Sequence, residues 1–186
     1  MKKDRGLLRD NATMNVLEWF SRNPSTKIYV NELSRTVQLS NASCSRILNL
    51  LERKGLLERE ELGRAHYYMM RDNYITREIK RFFLILRLHE SGLIEYLAKR
   101  DPSLTNLVLY GSCATGELDE NSDIDILAIT NTRAKADIEQ FQEYLQRSIE
   151  ITSMNIGRWM SMKNNNEGFY QEVKRDGISL LGGDLP

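Results

Sequence analysis

The chain has 186 residues, of which 41% are hydrophobic and 28% are charged. This length allows one large domain or two small ones, each with a core of its own. The formal net charge is zero, but residues 1–100 carry 19 Lys and Arg against 12 Asp and Glu, and residues 101–186 carry 7 against 14. A basic half suits a polyanionic partner and an acidic half suits metal binding, so the asymmetry favours two domains.

Cysteine content and hydropathy exclude several classes of protein. The two cysteines, Cys44 and Cys113, lie far apart without the spacing of metal ligands, which excludes a disulfide framework or a zinc site. The chain has neither a signal peptide nor an apolar run of about 18 residues, the length that spans a membrane. We therefore expect a cytoplasmic protein with no membrane partner.

The N-terminal half has the pattern of a winged helix-turn-helix. Its predicted elements are a helix at 11–22, a strand at 28–30, a brief helix capped by Asn31, a helix at 41–54, and strands at 56–61 and 66–70. Gly55 ends the longer helix in the usual way. The run Leu48-x-x-Leu51-x-x-x-Gly55-Leu56-Leu57 resembles the winged-helix DNA-binding domains of prokaryotic regulators.

That resemblance implies DNA binding through the 41–54 helix. Its outward face is expected to carry small polar and guanidinium side chains, which suit base readout in a major groove: Asn41, Ser43, Ser45, Arg46 and Asn49. On the hairpin, Arg59 and Arg64 are the candidates for phosphate contacts. Winged helices also serve as dimerisation or protein-docking modules, so docking without DNA remains an alternative.

A helical linker is expected between the two halves. Residues 73–100 predict two helical stretches broken near Ser91-Gly92, which could pack between domains or form the interface of a homodimer. The predicted organisation is a winged-helix domain at 1–72, the linker at 73–100 and a second domain at 101–186.

The most informative stretch is residues 107–129, which joins an apolar strand, a Gly111-Ser112 turn and a second strand with Asp123 and Asp125. Side chains two residues apart on a strand leave the same face, so the two carboxylates point together while Ile124 and Ile126 point into a core. Paired carboxylates favour a hard divalent cation. The turn offers amide groups and a hydroxyl to phosphate oxygens. Together these features indicate phosphoryl or nucleotidyl transfer.

The same stretch resembles the signature of the DNA polymerase β-like nucleotidyltransferases, especially the small, minimal members. The matched positions are Gly111, Ser112, Ala114, Gly116, Ser122, Asp123, Ile124 and Asp125. The resemblance implies an α+β chain in which a winged helix-turn-helix and a helical linker precede a nucleotidyltransferase α/β domain with a mixed sheet. It also implies two Mg²⁺ ions, or Mn²⁺, held by Asp123 and Asp125, and an NTP substrate, expected to be ATP, whose phosphates contact Gly111 and Ser112.

Two positions depart from the family pattern. A third carboxylate is expected on a strand at 148–154, after an amphipathic helix at 132–146, and Glu150 is the candidate although many relatives have Asp there. A solvent-facing Glu150 is the alternative. Thr115 stands where relatives often carry Arg, so Arg133 or Lys135 could supply the missing charge. A terminal helix at 167–175 and an edge strand at 178–182 complete the domain.

The implied function is metal-dependent transfer of NMP from an NTP to an acceptor, which by resemblance could be a protein hydroxyl. Asp123, Asp125 and Glu150 are then the catalytic and metal-binding residues. The alternative is a DNA-binding transcription regulator whose nucleotidyltransferase domain senses a nucleotide or is inactive. The expected partners are a nucleotide, DNA, a protein acceptor and a second copy of the chain.

Overall fold

The computed structural model describes residues 11–63, 65–132 and 136–185. The chain divides into two compact units, Met1–Phe83 and Leu84–Pro186. Three residues of the sequence analysis lie outside the described part of the chain: Arg64, Arg133 and Lys135. No helix among the described residues is both long enough and apolar enough to cross a membrane.

The first unit is a winged helix. Its elements are α1 (Ala12–Arg22), β1 (Ile28–Tyr29), α2 (Val30–Thr36), α3 (Asn41–Arg53), β2 (Leu57–Leu62), β3 (Ala65–Met70) and the first part of α4 (Tyr74–Ser91). The strands form an antiparallel sheet in the order β1-β3-β2. The predicted winged helix-turn-helix is confirmed, with α3 as its longer helix and β2-β3 as its hairpin.

The helix ends of this unit follow from their capping residues. Asn11 caps α1, because its side chain accepts hydrogen bonds from the amides of Thr13 and Met14. Ser40 caps α3 in the same way. The predicted cap at Asn31 is wrong, since α2 begins at Val30. Strand β1 ends at Tyr29 and α2 follows directly, so Asn31 is the second residue of the helix.

The second unit is an α/β domain. After the rest of α4, its elements are α5 (Leu93–Arg100), β4 (Asn106–Tyr110), α6 (Gly111–Thr115), β5 (Ile124–Ile129), α7 (Glu139–Leu145), β6 (Ile149–Met154), α8 (Ile156–Asn164), α9 (Gly168–Asp176) and β7 (Ile178–Leu181). The sheet order is β6-β5-β4-β7. Strands β5 and β6 are parallel and the other pairs antiparallel, so the predicted mixed sheet is confirmed.

Both faces of this sheet are covered by apolar side chains. Ile124 and Ile126 of β5 belong to a buried cluster with residues of α4, α5 and α7. Leu127 and Ile129 point the opposite way, into a cluster with Trp159 of α8 and residues of α9. The period of two along β5 thus places Ile124 and Ile126 in a core, as predicted.

Two predicted helical features have different outcomes, and a further helix was not predicted. The break near Ser91-Gly92 is present: Gly92 has φ +76° between α4 and α5. The predicted helix at 132–146 is wrong in extent, because residues 136–138 are not helical and α7 begins at Glu139. Asp137 accepts a hydrogen bond from the Glu139 amide, a local bond that competes with the helix. Helix α8 was not predicted, since Trp159 alone is fully buried on it.

Candidate active site

Three polar residues from neighbouring strands lie in a row across the sheet of the second unit. In the strand register, Tyr110 of β4 is opposite Asp125 of β5, and Asp125 is beside Glu150 of β6. Strand β5 begins at Ile124, so Asp123 directly precedes it. The sequence predicted that Asp123, Asp125 and Glu150 would come together, and the register makes Asp125 and Glu150 adjacent.

The carboxylate of Asp125 lies against the turn at Gly111. A Cβ atom on Gly111 would come within 2.7 Å of Asp125 Oδ2, which is closer than real Cβ contacts. Gly111 also has φ +68°, in the left-handed region that L side chains rarely adopt. Glycine is therefore favoured here for two independent reasons, the left-handed backbone and the closeness of the Asp125 carboxylate.

Mutual repulsion of acidic groups marks this part of the sheet. Burial raises the pKa of Asp125, and the negative charges of Glu150, Asp123 and Glu172 raise it further. Burial also raises the pKa of the Tyr110 hydroxyl, and the charges of Asp125, Glu150 and Glu172 add to this effect, while the hydrogen bond with Thr152 opposes it. Because Glu172 comes from α9, the acidic site extends beyond the two strands named by the sequence.

Buried side chains hold the backbone next to Asp123. Cys113 of α6 donates a hydrogen bond from Sγ to the Asp123 carbonyl oxygen, 3.0 Å away. Arg147, only 9% exposed, donates from Nη1 to the Ser122 carbonyl oxygen at 2.6 Å. Burial raises the pKa of the Cys113 thiol to about 11, so this cysteine remains a neutral structural donor and is not a nucleophile.

The acidic residues of the site fit a divalent cation that a bound nucleotide helps to hold. Among the residues that the structure describes, no three His, Cys, Asp or Glu side chains are grouped closely enough to enclose a metal ion by themselves. Mg²⁺ in nucleotide sites is usually held by one or two carboxylates, with substrate phosphates completing its shell. Carboxylates whose repulsion raises the pKa of Asp125 fit that arrangement, because a divalent cation would neutralise them. The three-ligand assignment stays a prediction.

A cleft of ≈560 Å³ opens beside this turn, between α6 and α9. On one side it is lined by Gly111, Ser112 and Thr115, and on the other by residues that include Glu172 and Arg175. The two α9 residues were missed in the sequence, where the terminal helix carries no motif. The contact between α6 and α9 joins positions some 60 residues apart, and no local pattern signals it.

The candidate DNA-binding residues of the first unit differ in their surroundings. Asn41 and Arg46 are exposed on α3, and Ser43 and Ser45 are half-buried. Ser43 takes part in capping its own helix through its backbone amide and Ser40 Oγ. Asn49 Oδ1 accepts a hydrogen bond from the buried Tyr68 hydroxyl at 3.1 Å, so part of the Asn49 side chain is committed to the fold.

The hairpin is more acidic than its predicted role requires. Arg59 lies 3.6 Å from Glu52 and 3.7 Å from Glu61, measured between charged atoms. Strand β2 also exposes Glu58 and Glu60 beside it. These glutamates offset the charge that a phosphate contact by Arg59 would use. The assignment of Arg59 stays a prediction, whereas the exposed Arg46 on α3 has no such neighbours on its own helix face.

Comparisons with known proteins agree with this division. A family model described as a nucleotidyltransferase domain matches residues 90–165, and a model of the MarR family matches residues 6–66. The two matches give a MarR-type region followed by a nucleotidyltransferase region, in the order of the two units. Helix α9, which supplies Glu172 and Arg175, lies beyond the matched region. No curated protein matches the chain.

Several solved structures have weak similarity to it. The crystal structure of a toxin–antitoxin with AMP-PNP aligns with a TM-score of 0.35 and 20% identity, covering 50% of this chain and 74% of that one. AdcR, a zinc-dependent MarR family transcriptional regulator in the Zn(II)-bound state, gives 0.35 and 19% over 54% and 65%. A putative nucleotidyltransferase from Sulfolobus solfataricus gives 0.32 and 18% over 59% and 86%. Scores this low add no argument about chemistry.

Proposed function

We propose that the second unit transfers a nucleoside monophosphate from an NTP, expected to be ATP, to an acceptor hydroxyl. The supporting observation is the adjacency of Asp125 and Glu150 beside the Gly111 turn and its cleft. In the reaction the acceptor oxygen forms a bond to the α-phosphorus while the bond between the α-phosphorus and the α,β-bridging oxygen breaks. Pyrophosphate leaves, and the proton of the acceptor hydroxyl passes to a base. By family resemblance, the acceptor is a protein hydroxyl.

The acidic residues would have two different roles in this reaction. Asp123 and Asp125 would bind Mg²⁺, as two ions, or Mn²⁺, together with the phosphates of the nucleotide. When bound, these ions would neutralise negative charge on the phosphates and lower the pKa of the acceptor hydroxyl. Glu150, exposed at the strand next to Asp125, would act on the acceptor side by orienting the hydroxyl and accepting its proton.

The turn residues have a different role. Gly111 and Ser112 line the cleft and would contact the terminal phosphates through backbone amides and the Ser112 hydroxyl. Glycine at 111 lets the backbone approach both the phosphate and Asp125. Phosphate contacts and acids would then meet at one turn, as an in-line displacement requires.

We propose DNA contact for the winged-helix domain, through α3. Arg46 and Asn41 are exposed and would read base edges, with Ser43, Ser45 and Asn49 around them. Arg59 and Arg64 would meet phosphates on the wing. DNA binding gives the second candidate function: a regulator whose nucleotidyltransferase domain binds a nucleotide without turnover. Thr115 in place of the usual Arg favours that alternative, since it removes a charge from the phosphate site.

Two variants test the proposed catalysis. The protein is incubated with labelled ATP, Mg²⁺ and cell lysate, and label transferred to an acceptor is measured alongside ATP binding by calorimetry. Asp123→Asn with Asp125→Asn should abolish Mg²⁺-dependent ATP binding. Glu150→Gln should reduce transfer by at least about tenfold while leaving binding within about twofold, because its task is on the acceptor side.

Each outcome separates the two functions. ATP binding that the double variant abolishes, with no labelled acceptor from the wild type, would support nucleotide sensing by a regulator. Equal Mg²⁺-dependent ATP affinity in the wild type and the double variant would refute the metal assignment. Unchanged transfer by Glu150→Gln would leave that residue as a solvent-facing side chain.

A further inference from the structure

We infer that Arg175 of α9 binds the phosphate tail of the nucleotide and replaces the arginine that relatives often carry at the position of Thr115. This inference rests on the proposed nucleotide site and names a residue that the family signature does not contain. It begins from the cleft between α6 and α9, whose ≈560 Å³ lies within the ~300–1,000 Å³ of small-molecule sites.

The two walls of this cleft offer complementary groups. Ser112 brings a hydroxyl from α6, beside the Thr115 hydroxyl, which donates to the Ser112 carbonyl oxygen at 3.3 Å, and Arg175 brings a guanidinium from α9. The cleft also reaches Gly111, whose backbone adjoins the Asp125 carboxylate. An anion lying between the hydroxyls and Arg175 would therefore be next to the acidic site. The β- and γ-phosphates of a metal-bound NTP would occupy this position.

The acidic lining of the cleft makes the positive charge of Arg175 important for binding a phosphate. Glu117, Glu172 and Asp176 line it, and among the described residues Arg175 is the single cationic side chain that does so. An uncompensated acidic cleft would repel a triphosphate. Metal ions at the strand acids would supply part of the neutralisation, and Arg175 supplies a positive charge on the opposite wall.

Arg175 is free to exchange its present partner for a phosphate. Its Nε and Nη2 atoms both donate to Asp176 Oδ2, at 2.9 and 2.7 Å. The Arg175 side chain is 73% exposed, and an ion pair in that setting contributes little. A phosphate accepts two parallel hydrogen bonds from a guanidinium and carries more charge than one carboxylate. Asp176 therefore holds the guanidinium at the mouth of the cleft until a nucleotide displaces it.

The test measures Mg²⁺-dependent binding of ATP and of AMP to the full chain by calorimetry. Arg175→Gln should weaken ATP binding by roughly tenfold, the loss of one charge-assisted phosphate contact, and should change AMP binding far less. Arg175→Lys should lie between the two, because it keeps the charge but loses the paired donors. The matched control is Arg158→Gln, which removes an exposed arginine of the same unit that pairs with Glu167 and lines a different cleft.

A double-mutant cycle tests the same contact with a variant that should strengthen ATP binding. Asp176→Asn should tighten ATP binding, and the gain should shrink when Arg175→Gln is also present, since the released guanidinium is then missing. An equal gain in both backgrounds would mean that Asp176 acts only as a repelling charge and would overturn the exchange. ATP affinity in Arg175→Gln equal to that in Arg158→Gln would overturn the assignment of Arg175.

The experiment also distinguishes failure of this inference from failure of the proposed function. If the wild type binds ATP, Asp123→Asn with Asp125→Asn abolishes that binding and Arg175→Gln has no effect, the inference alone fails. If the wild type binds no ATP in the presence of Mg²⁺, the proposed nucleotide site and the inference both fail.

Discussion

Replacing Gly111 by alanine should weaken ATP binding to the second unit strongly while lowering its stability only modestly. The φ of +68° puts an alanine in the left-handed region, at a cost of about 1–2 kcal/mol. The added Cβ would also come within 2.7 Å of Asp125 Oδ2. Because that oxygen is at the end of a rotatable side chain, we expect the carboxylate to turn away, which limits the cost in stability but displaces the proposed metal ligand.

Gly92→Ala is the matched control for backbone strain. Gly92 has φ +76° in the same unit, and a Cβ built there meets no atom within 4 Å. Both variants should therefore lose about 1–2 kcal/mol in the free energy of unfolding. Only Gly111→Ala should also lose Mg²⁺-dependent ATP binding, by more than about tenfold.

Urea unfolding followed by tryptophan fluorescence measures the stability term. Trp159 is fully buried in the second unit, so a Trp19→Phe background leaves it as the reporter of that unit. Calorimetry with ATP and Mg²⁺ measures the binding term. Gly111→Ala with the same ATP affinity as Gly92→Ala would refute the reasoning, because the contact with Asp125 would then have no consequence for the site.

Two further predictions concern Asp125 and the winged helix. Burial and neighbouring negative charges raise the pKa of Asp125 in the folded protein, so this residue favours folding fully below its unfolded pKa, and that effect is lost as the pH rises through its folded pKa. Asp125→Asn should therefore increase the free energy of unfolding at neutral pH but not in acid. Equal increases at both pH values in urea titrations would contradict this. Arg46→Ala should weaken specific DNA binding by about 1–3 kcal/mol and relax the preference for the specific duplex. Arg59→Ala should weaken binding to all duplexes alike, and by less, because Glu52 and Glu61 offset part of its charge. Gel shifts with specific and random duplexes at two salt concentrations compare the two variants.

The parts of the fold that depend on local pattern could be predicted from the sequence. The spacing of Asp123 and Asp125 within an apolar run indicated a strand with one acidic and one buried face, and Ile124 and Ile126 are indeed buried. The wing was recognisable because two short strands follow a helix that Gly55 ends. Each of these features is decided by residues within a few positions of one another.

The parts that depend on tertiary packing could not be predicted. Arg147 holds the Ser122 carbonyl oxygen across 25 residues, and Glu172 reaches the acids because α9 packs against the face of the sheet that contains them. Neither residue belongs to a motif. Helix α8 was missed because it buries a single large side chain, Trp159, which is too little periodicity to distinguish a helix from a loop.

The register also changes how a glutamate at position 150 should be judged. Adjacent strands lie about 4.8 Å apart, so carboxylates of equal length at positions 125 and 150 would face each other closely. Asp125 lies against the Gly111 turn and is half-buried, while Glu150 is exposed and has one more methylene. The longer side chain lets the two charges separate before a cation binds, while burial and, after it, the charge of Glu150 raise the pKa of Asp125. Glutamate at this position is therefore compatible with a metal site that assembles only when the nucleotide phosphates arrive.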